Sequence, residues 1–135
     1  MTAGTPVHLL RDLPAQPSRV WSALTGTDHL SLWFTPTRRT PDGVYELTFH
    51  EDDGEYTKRF VIGACSRGKD RALRSFHGRL EDPGYPDSTV SLRLWPHGSG
   101  TRLELTHHDP PPSLAEGYST GWAEYLDALA QHLDR

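Results

Sequence analysis

A G-x-S-x-G segment is the first feature of this 135-residue chain that points to chemistry. Residues 117–121 match the nucleophile motif of serine hydrolases, which requires a sharp strand-to-helix turn that exposes the serine beside an oxyanion hole. Here the match lies inside a segment with helical periodicity, several residues after its start. We therefore interpret Ser119 as a helical surface or packing residue, and we expect Gly117 and Gly121 to allow close approach of helix to sheet.

Eight histidines raise the possibility of a metal site, which would need three or four converging ligands. His107 and His108 are adjacent on a predicted strand, so their side chains should point to opposite faces and cannot easily share one ion. His50, His77 and His107 converge only if their strands are neighbours, and no H-x-H or H-x-x-x-H spacing supports such a site. The sequence therefore predicts no metal and no other cofactor.

His107 and His77 are the candidate acid/base residues of the chain. His107 follows Leu103 and Leu105 on the apolar face of a predicted strand. We interpret it as a hydrogen-bond donor, or a proton acceptor near neutral pH, that faces a ligand. The alternative is a polar residue at the end of a strand, hydrogen-bonded near the pocket.

Two groups of charged residues are typical of solvated surface. The acidic run 51–55 lacks the alternating spacing of an EF-hand loop, and we interpret it as a hairpin tip. Opposite charges surround the central basic residues, a pattern typical of an outer sheet face. An anionic ligand group at a cavity mouth could still pair with a guanidinium, which donates two hydrogen bonds to a carboxylate. The basic residues of the outer face are Lys58, Arg59, Arg67, Lys69, Arg71 and Arg74, and the candidate anion partners are Arg38, Arg39 and Arg74.

Composition excludes several classes of protein. With 14 basic and 18 acidic residues the net charge is −4, which argues against a nucleic-acid partner. No apolar run approaches the roughly 20 residues of a membrane span, and the N-terminus lacks the features of a signal peptide. The single cysteine, Cys65, cannot form an internal disulfide. We expect one cytoplasmic domain over residues 1–135.

Turn signals divide the middle of the chain into strands. Asp53-Gly54 separates runs 44–50 and 56–65, and Asp-Gly favours a tight antiparallel hairpin. Further breaks at 67–70, 83–87 and 97–100 bracket additional strands, and all connections are too short for parallel crossovers. With a short strand near 35–40, these runs predict a six-strand antiparallel meander. Its remaining strands lie near 71–80, 88–95 and 101–108.

Period-two alternation predicts one apolar and one wet face for this sheet. Val90, Leu92 and Leu94 share the apolar face. Before the meander, the pattern predicts an opening strand over 7–13 and two short helices. The first helix starts near Pro17 and the second covers about residues 28–33.

A long amphipathic helix is predicted at the C-terminus. Ser113 and Glu116 form a capping-box pattern that would satisfy backbone amides reciprocally. The helix should extend from Leu114 to about Leu133, roughly 30 Å at 1.5 Å per residue. We expect it to lie along the apolar face of the sheet. Its apolar stripe comprises Tyr118, Trp122, Tyr125, Leu126, Leu129 and Leu133.

This order of elements, with four sequence blocks, resembles the START-like (SRPBCC) superfamily. The branch it is similar to is the one named after the activator of heat-shock-chaperone ATPase. The resemblance implies an α+β helix-grip fold, in which a curved antiparallel sheet wraps a long C-terminal helix and encloses a cavity. The four blocks are 20–25 (VWSALT), 30–34 (LSLWF), 100–107 (GTRLELTH) and 121–126 (GWAEYL).

The cavity that the resemblance implies suggests a small-molecule binding protein with a hydrophobic or amphipathic ligand, as a monomer or homodimer. A cyclase or dehydratase acting on a polyketide-like or aromatic substrate is an alternative, with His77 or His107 as general acid/base and Tyr118 or Tyr125 as hydrogen-bond donor. A co-chaperone role is a second alternative. We expect no ATPase stimulation, because the chaperone activator joins this domain to another binding domain and 135 residues leave no room for one. The candidate ligand-binding residues are Trp33, Phe34, Leu47, Phe49, His77, Leu92, Leu94, Leu105, His107, Tyr118, Trp122 and Tyr125.

Overall fold

A computed structural model describes residues 6–51, 54–67 and 74–134. These residues form seven strands and three α-helices. Strand β1 opens the chain, two short helices follow, six strands come next, and a long helix ends the chain. The elements are β1 (Val7–Leu13), α1 (Pro17–Thr25), α2 (Thr27–Trp33), β2 (Thr37–Arg39), β3 (Tyr45–Glu51), β4 (Gly54–Arg67), β5 (Arg74–Glu81), β6 (Ser88–His97), β7 (Gly100–His108) and α3 (Ala115–Leu133).

All seven strands belong to one antiparallel sheet in the order β1-β7-β6-β5-β4-β3-β2. Consecutive strands from β2 to β7 are neighbours, which confirms the meander, and β1 closes against β7. The predicted hairpin between β3 and β4 is also confirmed, with Glu51 opposite Gly54. Together with α3, this sheet confirms the predicted α+β helix-grip architecture.

Some predicted features lie outside the described residues. Residues 52–53 at the acidic hairpin tip and most of the predicted turn at 67–70 are among them, as are Lys69 and Arg71. The side chains of Cys65 and Arg67 are likewise outside the description.

The apolar face of the sheet forms one wall of the core. Val90, Leu92 and Leu94 are all buried, as the alternation predicts. The adjacent His107 and His108 point to opposite faces, because His107 is fully buried and His108 is exposed. Burial therefore follows the period of two along β6 and β7.

Helix α3 covers this apolar face through Leu126, Leu129 and Leu133, which are at most 2% exposed. No side-chain hydrogen bond caps its start, so the predicted capping box is wrong. The chain forms a 3-10 turn over Pro112–Leu114, closed by a hydrogen bond of 2.8 Å from the Leu114 amide to the Pro111 carbonyl. Leu114 therefore occupies the N-cap position, and Ser113 lies one residue too early to cap.

The glycines of α3 do not bring the helix closer to the sheet, which corrects a second expectation. A Cβ atom added at Gly117 or Gly121 would meet no atom within 4 Å beyond its own surroundings in the helix. Gly117 and Ser119 are exposed, and both lie well inside α3 rather than on a strand-to-helix turn. The G-x-S-x-G match is therefore part of a regular helix.

None of the helices in the described ranges is long and apolar enough to cross a membrane.

Candidate functional site

A cavity of about 220 Å³ lies between α3, α2 and the apolar face of the sheet. Its wall is mainly aromatic and aliphatic, as expected for a small-molecule site. Nine predicted ligand-binding residues line it: Trp33, Phe34, Leu47, Phe49, Leu92, Leu105, Tyr118, Trp122 and Tyr125.

Phe34 is at the centre of the aromatic wall. It follows the last residue of α2, and its amide donates to the Leu30 carbonyl at 2.9 Å. Its ring stacks on Trp122, with centroids 6.0 Å apart and an angle of 12° between the planes. It also makes edge-to-face contacts with Phe49 and Tyr125, at centroid distances of 5.9 Å and 4.5 Å. One side chain just after α2 thus connects the sheet wall to the helix wall.

Three predicted residues do not line the cavity. Leu94 is fully buried in the core but away from the cavity wall. His77 is exposed on the outer face, because its neighbours Phe76 and Gly78 face inward and the strand alternates. His107 is buried on the inner face but lies behind the wall.

Hydrogen bonds occupy both ring nitrogens of His107. The Trp122 indole Nε1–H donates to Nδ1 at 3.0 Å, so Nδ1 carries no proton. We assign the proton of the neutral ring to Nε2, which donates to Ser88 Oγ at 2.7 Å. Burial, followed by the positive charges of Lys58 and His108, lowers the pKa of His107 to about 4.

At neutral pH this histidine is therefore uncharged and its lone pair is engaged. The expectation of a proton acceptor that faces a ligand does not match this geometry. The alternative, a hydrogen-bonded polar residue at the end of a strand near the pocket, describes the observed contacts of His107.

Lys58 lies in the cavity wall, which corrects its predicted place on the outer face. Its Nζ is 3.2 Å from Asp82 Oδ2, and both side chains are largely buried, at 17% and 11% exposure. The sequence signal was the alternation on β4, where Lys58 shares a face with Phe60 and Ile62. The charge of Lys58 favours the outer face, but its position in the strand places it on the inner face.

Tyr118 joins this charged pair from α3. Its hydroxyl donates a hydrogen bond to Asp82 Oδ2, and Lys58 Nζ lies 5.0 Å from the centre of its ring. Burial and the hydrogen bond to the Asp82 carboxylate raise the pKa of Tyr118 far above its ordinary value. The phenol therefore stays protonated, and the three side chains form one polar cluster at the cavity.

The other cavity residues were missed because inward-facing residues of the packed core and of the cavity wall share one sequence pattern, because α1 and β4 had no predicted lining residue, or because the residue is small. Gly121 is an example, since its missing side chain leaves space in the wall. The full set missed by sequence reasoning, besides Lys58, is Leu24, Leu30, Tyr45, Phe60, Ile62, Phe76, Leu80, Val90, Gly121 and Leu126.

The arginines predicted as anion partners have other contacts. The exposed Arg38 donates to Glu46, and Arg39 lies 5.3 Å from the centre of the Tyr45 ring. Arg74 lies 5.8 Å from the centre of the Trp21 ring. None of the three lines the cavity.

Metal ligands do not cluster in the described part of the chain, where no three His, Cys, Asp or Glu side chains could share an ion. The candidate His50 lies 3.5 Å from Glu55 on the neighbouring strand.

Known structures share this fold. CalU16 from Micromonospora echinospora is 25% identical, with a TM-score of 0.76 over 95% of this chain and 75% of CalU16. Protein CV1439 from Chromobacterium violaceum is 19% identical, with a TM-score of 0.82 over 96% of this chain and 98% of its own. A third structure, described as the Aha1 dimer from Colwellia psychrerythraea, is 18% identical, with a TM-score of 0.71 over 96% of each chain.

Sequence comparison agrees with the fold. No curated protein matches the chain significantly. A family model described as "Activator of Hsp90 ATPase homolog 1-like protein" matches residues 14–134, from the end of β1 to just past α3. The chain therefore belongs to the activator of Hsp90 ATPase homolog 1-like family, the branch of the START-like superfamily that its sequence blocks resemble.

Proposed function

We propose that this protein binds a hydrophobic or amphipathic small molecule in the cavity between the sheet and α3. The observation that carries the proposal is the unfilled space of about 220 Å³ behind an aromatic wall. Protein interiors contain few voids larger than a water molecule, so apolar space of this size favours a ligand as occupant. Lys58, held in the cavity wall beside Asp82 and Tyr118, gives this site a polar group that can orient a ligand.

The geometry favours binding over the cyclase or dehydratase alternative. That alternative needs a general acid or base in the cavity, and neither His77 nor His107 lines it. The family is named for an activator of the Hsp90 ATPase, and stimulation of that ATPase by this protein would favour a co-chaperone role instead. A monomer or homodimer remains the expected assembly.

Substitution of Gly121 by leucine tests the proposal. Gly121 lines the cavity and has open space around its missing Cβ, so a leucine there would fill the binding space without a backbone clash. We expect Gly121→Leu to weaken binding of the uncharged fluorescent probe N-phenyl-1-naphthylamine at least about tenfold, which corresponds to about 1.4 kcal/mol. Fluorescence titration measures the affinity.

Gly117→Leu is the matched control for this experiment. Gly117 is also a helical glycine of α3 with open space around it, but it does not line the cavity. Both substitutions should raise helix propensity by a similar amount, about 0.8–1 kcal/mol. We expect Gly117→Leu to keep the wild-type affinity, and equal affinities in the two variants, or no binding by the wild type, would refute the proposal.

A further inference from the structure

Two aromatic side chains of the cavity wall, Trp33 and Tyr45, donate their polar hydrogens to backbone carbonyls of the protein. Trp33 Nε1–H donates to the Ala23 carbonyl at 2.8 Å. The Tyr45 hydroxyl donates to the Thr25 carbonyl at 2.7 Å. These hydrogens are therefore not available to a ligand, although the rings that carry them line the cavity.

Two of the three aromatic donors that α3 places in the cavity wall are committed in the same way. Trp122 Nε1–H donates to His107, and the Tyr118 hydroxyl donates to Asp82. The acceptor in each case lies outside the cavity wall. A ligand that touches these rings meets apolar surface, and it meets no free donor from them.

Lys58 differs from these residues in the number of its donors. Its ammonium has three N–H groups, and the described contacts give it one carboxylate partner, Asp82. Its Nζ also lies 5.0 Å from the ring centres of Phe49 and Tyr118, two residues of the cavity wall. The ammonium thus keeps hydrogen-bonding capacity beside the aromatic surface.

The charges around Lys58 restrict the chemical class of the ligand further. Its positive charge disfavours a cationic ligand. Asp82 balances that charge with a carboxylate that is only 11% exposed, so the pair is neutral as a whole. A ligand carboxylate on Lys58 would bring a second negative charge close to Asp82, and like charges in a partly desolvated site repel. An uncharged acceptor such as a carbonyl oxygen avoids this repulsion.

We infer that the ligand is an uncharged, largely aromatic molecule with a carbonyl-type oxygen that accepts a hydrogen bond from Lys58 Nζ. This inference rests on the proposed function, because it names the ligand class of the same cavity. Lys58 sets the specificity, while the aromatic wall around Phe34 binds the ring system through stacking and edge contacts.

A pair of probes that differ in one group tests the inference. 2-Acetylnaphthalene carries a carbonyl oxygen where 2-isopropenylnaphthalene, of nearly the same shape, carries a methylene. We expect the wild-type protein to bind the ketone about tenfold more tightly, the effect of one hydrogen bond from a charged donor. In Lys58→Met the preference for the ketone should disappear, because its carbonyl oxygen then loses its donor. Isothermal titration calorimetry measures all four constants.

Lys58→Met leaves the largely buried Asp82 carboxylate without its cationic partner and with only Tyr118 as a hydrogen-bond partner among the described contacts, so it could destabilise the fold. A double variant keeps the test usable in that case. Lys58→Met with Asp82→Asn removes that charge and keeps an acceptor for the Tyr118 hydroxyl. We expect it to lose the preference for the ketone as well. Circular dichroism confirms that each variant is folded.

The outcomes separate this inference from the proposed function. Equal binding of both probes by the wild type, or a preference that survives in both variants, would overturn the assignment to Lys58. Tighter binding of 2-naphthoate than of the ketone would overturn the assignment of an uncharged ligand. Each of these outcomes leaves the cavity proposal standing. Failure of N-phenyl-1-naphthylamine to bind the wild type would overturn the proposed function and this inference with it.

Discussion

Two ionisable side chains on the inner face of the sheet differ in charge, since His107 is neutral and Lys58 is positive. His107 is neutral because it is buried and both of its nitrogens are hydrogen-bonded. Lys58 forms an ion pair with Asp82 and lines the cavity. His107 thus links β6, β7 and α3 through hydrogen bonds. Lys58 is the residue that can donate a hydrogen bond to a ligand.

Replacement of His107 should change how stability depends on pH. The pKa of this residue is about 4 in the folded protein, against an ordinary value of 6.5, so between these values the unfolded chain binds the proton more readily. The contribution of neutral His107 to the free energy of unfolding is fully present above pH 6.5 and is lost as the pH falls toward 4. This single group should lower the free energy of unfolding by about 3 kcal/mol between pH 7 and pH 4.

His107→Gln is the test of this linkage, since an amide can accept from Trp122 and donate to Ser88 without titrating. Urea unfolding at several pH values measures the free energy of unfolding. As the pH is lowered, this free energy should fall less in the variant than in the wild type. Acid titration of carboxylates such as Glu104 occurs in both proteins and cancels in the difference. Parallel pH profiles of the free energy of unfolding in the two proteins would contradict the lowered pKa of His107.

At the scale of elements, β1 packs directly on the hairpin between β6 and β7. Gly100 begins β7, and a Cβ atom there would lie 2.1 Å from the Leu13 carbonyl oxygen at the end of β1. The Thr101 hydroxyl donates to the Ala15 carbonyl at 2.6 Å and continues the same junction. Gly98, in the turn of the hairpin, has a positive φ of 60° but open space around it.

These two glycines should respond differently to alanine. Gly98→Ala places a side chain in the left-handed region and should cost about 1 kcal/mol. Gly100→Ala forces a side chain against backbone that cannot move away, so we expect a loss of about 3 kcal/mol. Chemical denaturation of the two variants measures the difference, and an equal or smaller loss for Gly100→Ala would show that β1 does not pack tightly here.

At the scale of the whole molecule, the cavity exists only because α2, α3 and the sheet come together. A ligand that fills it binds the folded state alone and should stabilise the entire protein. N-phenyl-1-naphthylamine at a concentration of 100 Kd should add about 2.7 kcal/mol. For a chain of this length, that corresponds to a rise in Tm of about 10 °C.

Thermal unfolding with and without the probe measures this effect, and Gly121→Leu at the same probe concentration serves as the control. A fluorescence change without a rise in Tm would mean that the probe binds an exposed surface or the unfolded chain as well as the native state.

The local pattern of the sequence was sufficient to predict the strands, the faces of the sheet and the apolar stripe of α3. Alternation along β6 and β7 depends on neighbouring residues, so the inward direction of Leu92, Leu105 and His107 was readable without coordinates. The helical period of α3 likewise placed Trp122 and Tyr125 toward the sheet. Nearest-neighbour geometry determines these features.

The polar chemistry of the cavity was decided by the tertiary structure. Tyr118 and Asp82 are 36 positions apart, and His107 and Trp122 are 15 apart on different elements. Their contacts depend on how α3 crosses the sheet, which no local period specifies. Packing made His107 a neutral structural residue, paired Lys58 with Asp82 and made Gly121 a source of space, because each role depends on elements distant in the chain.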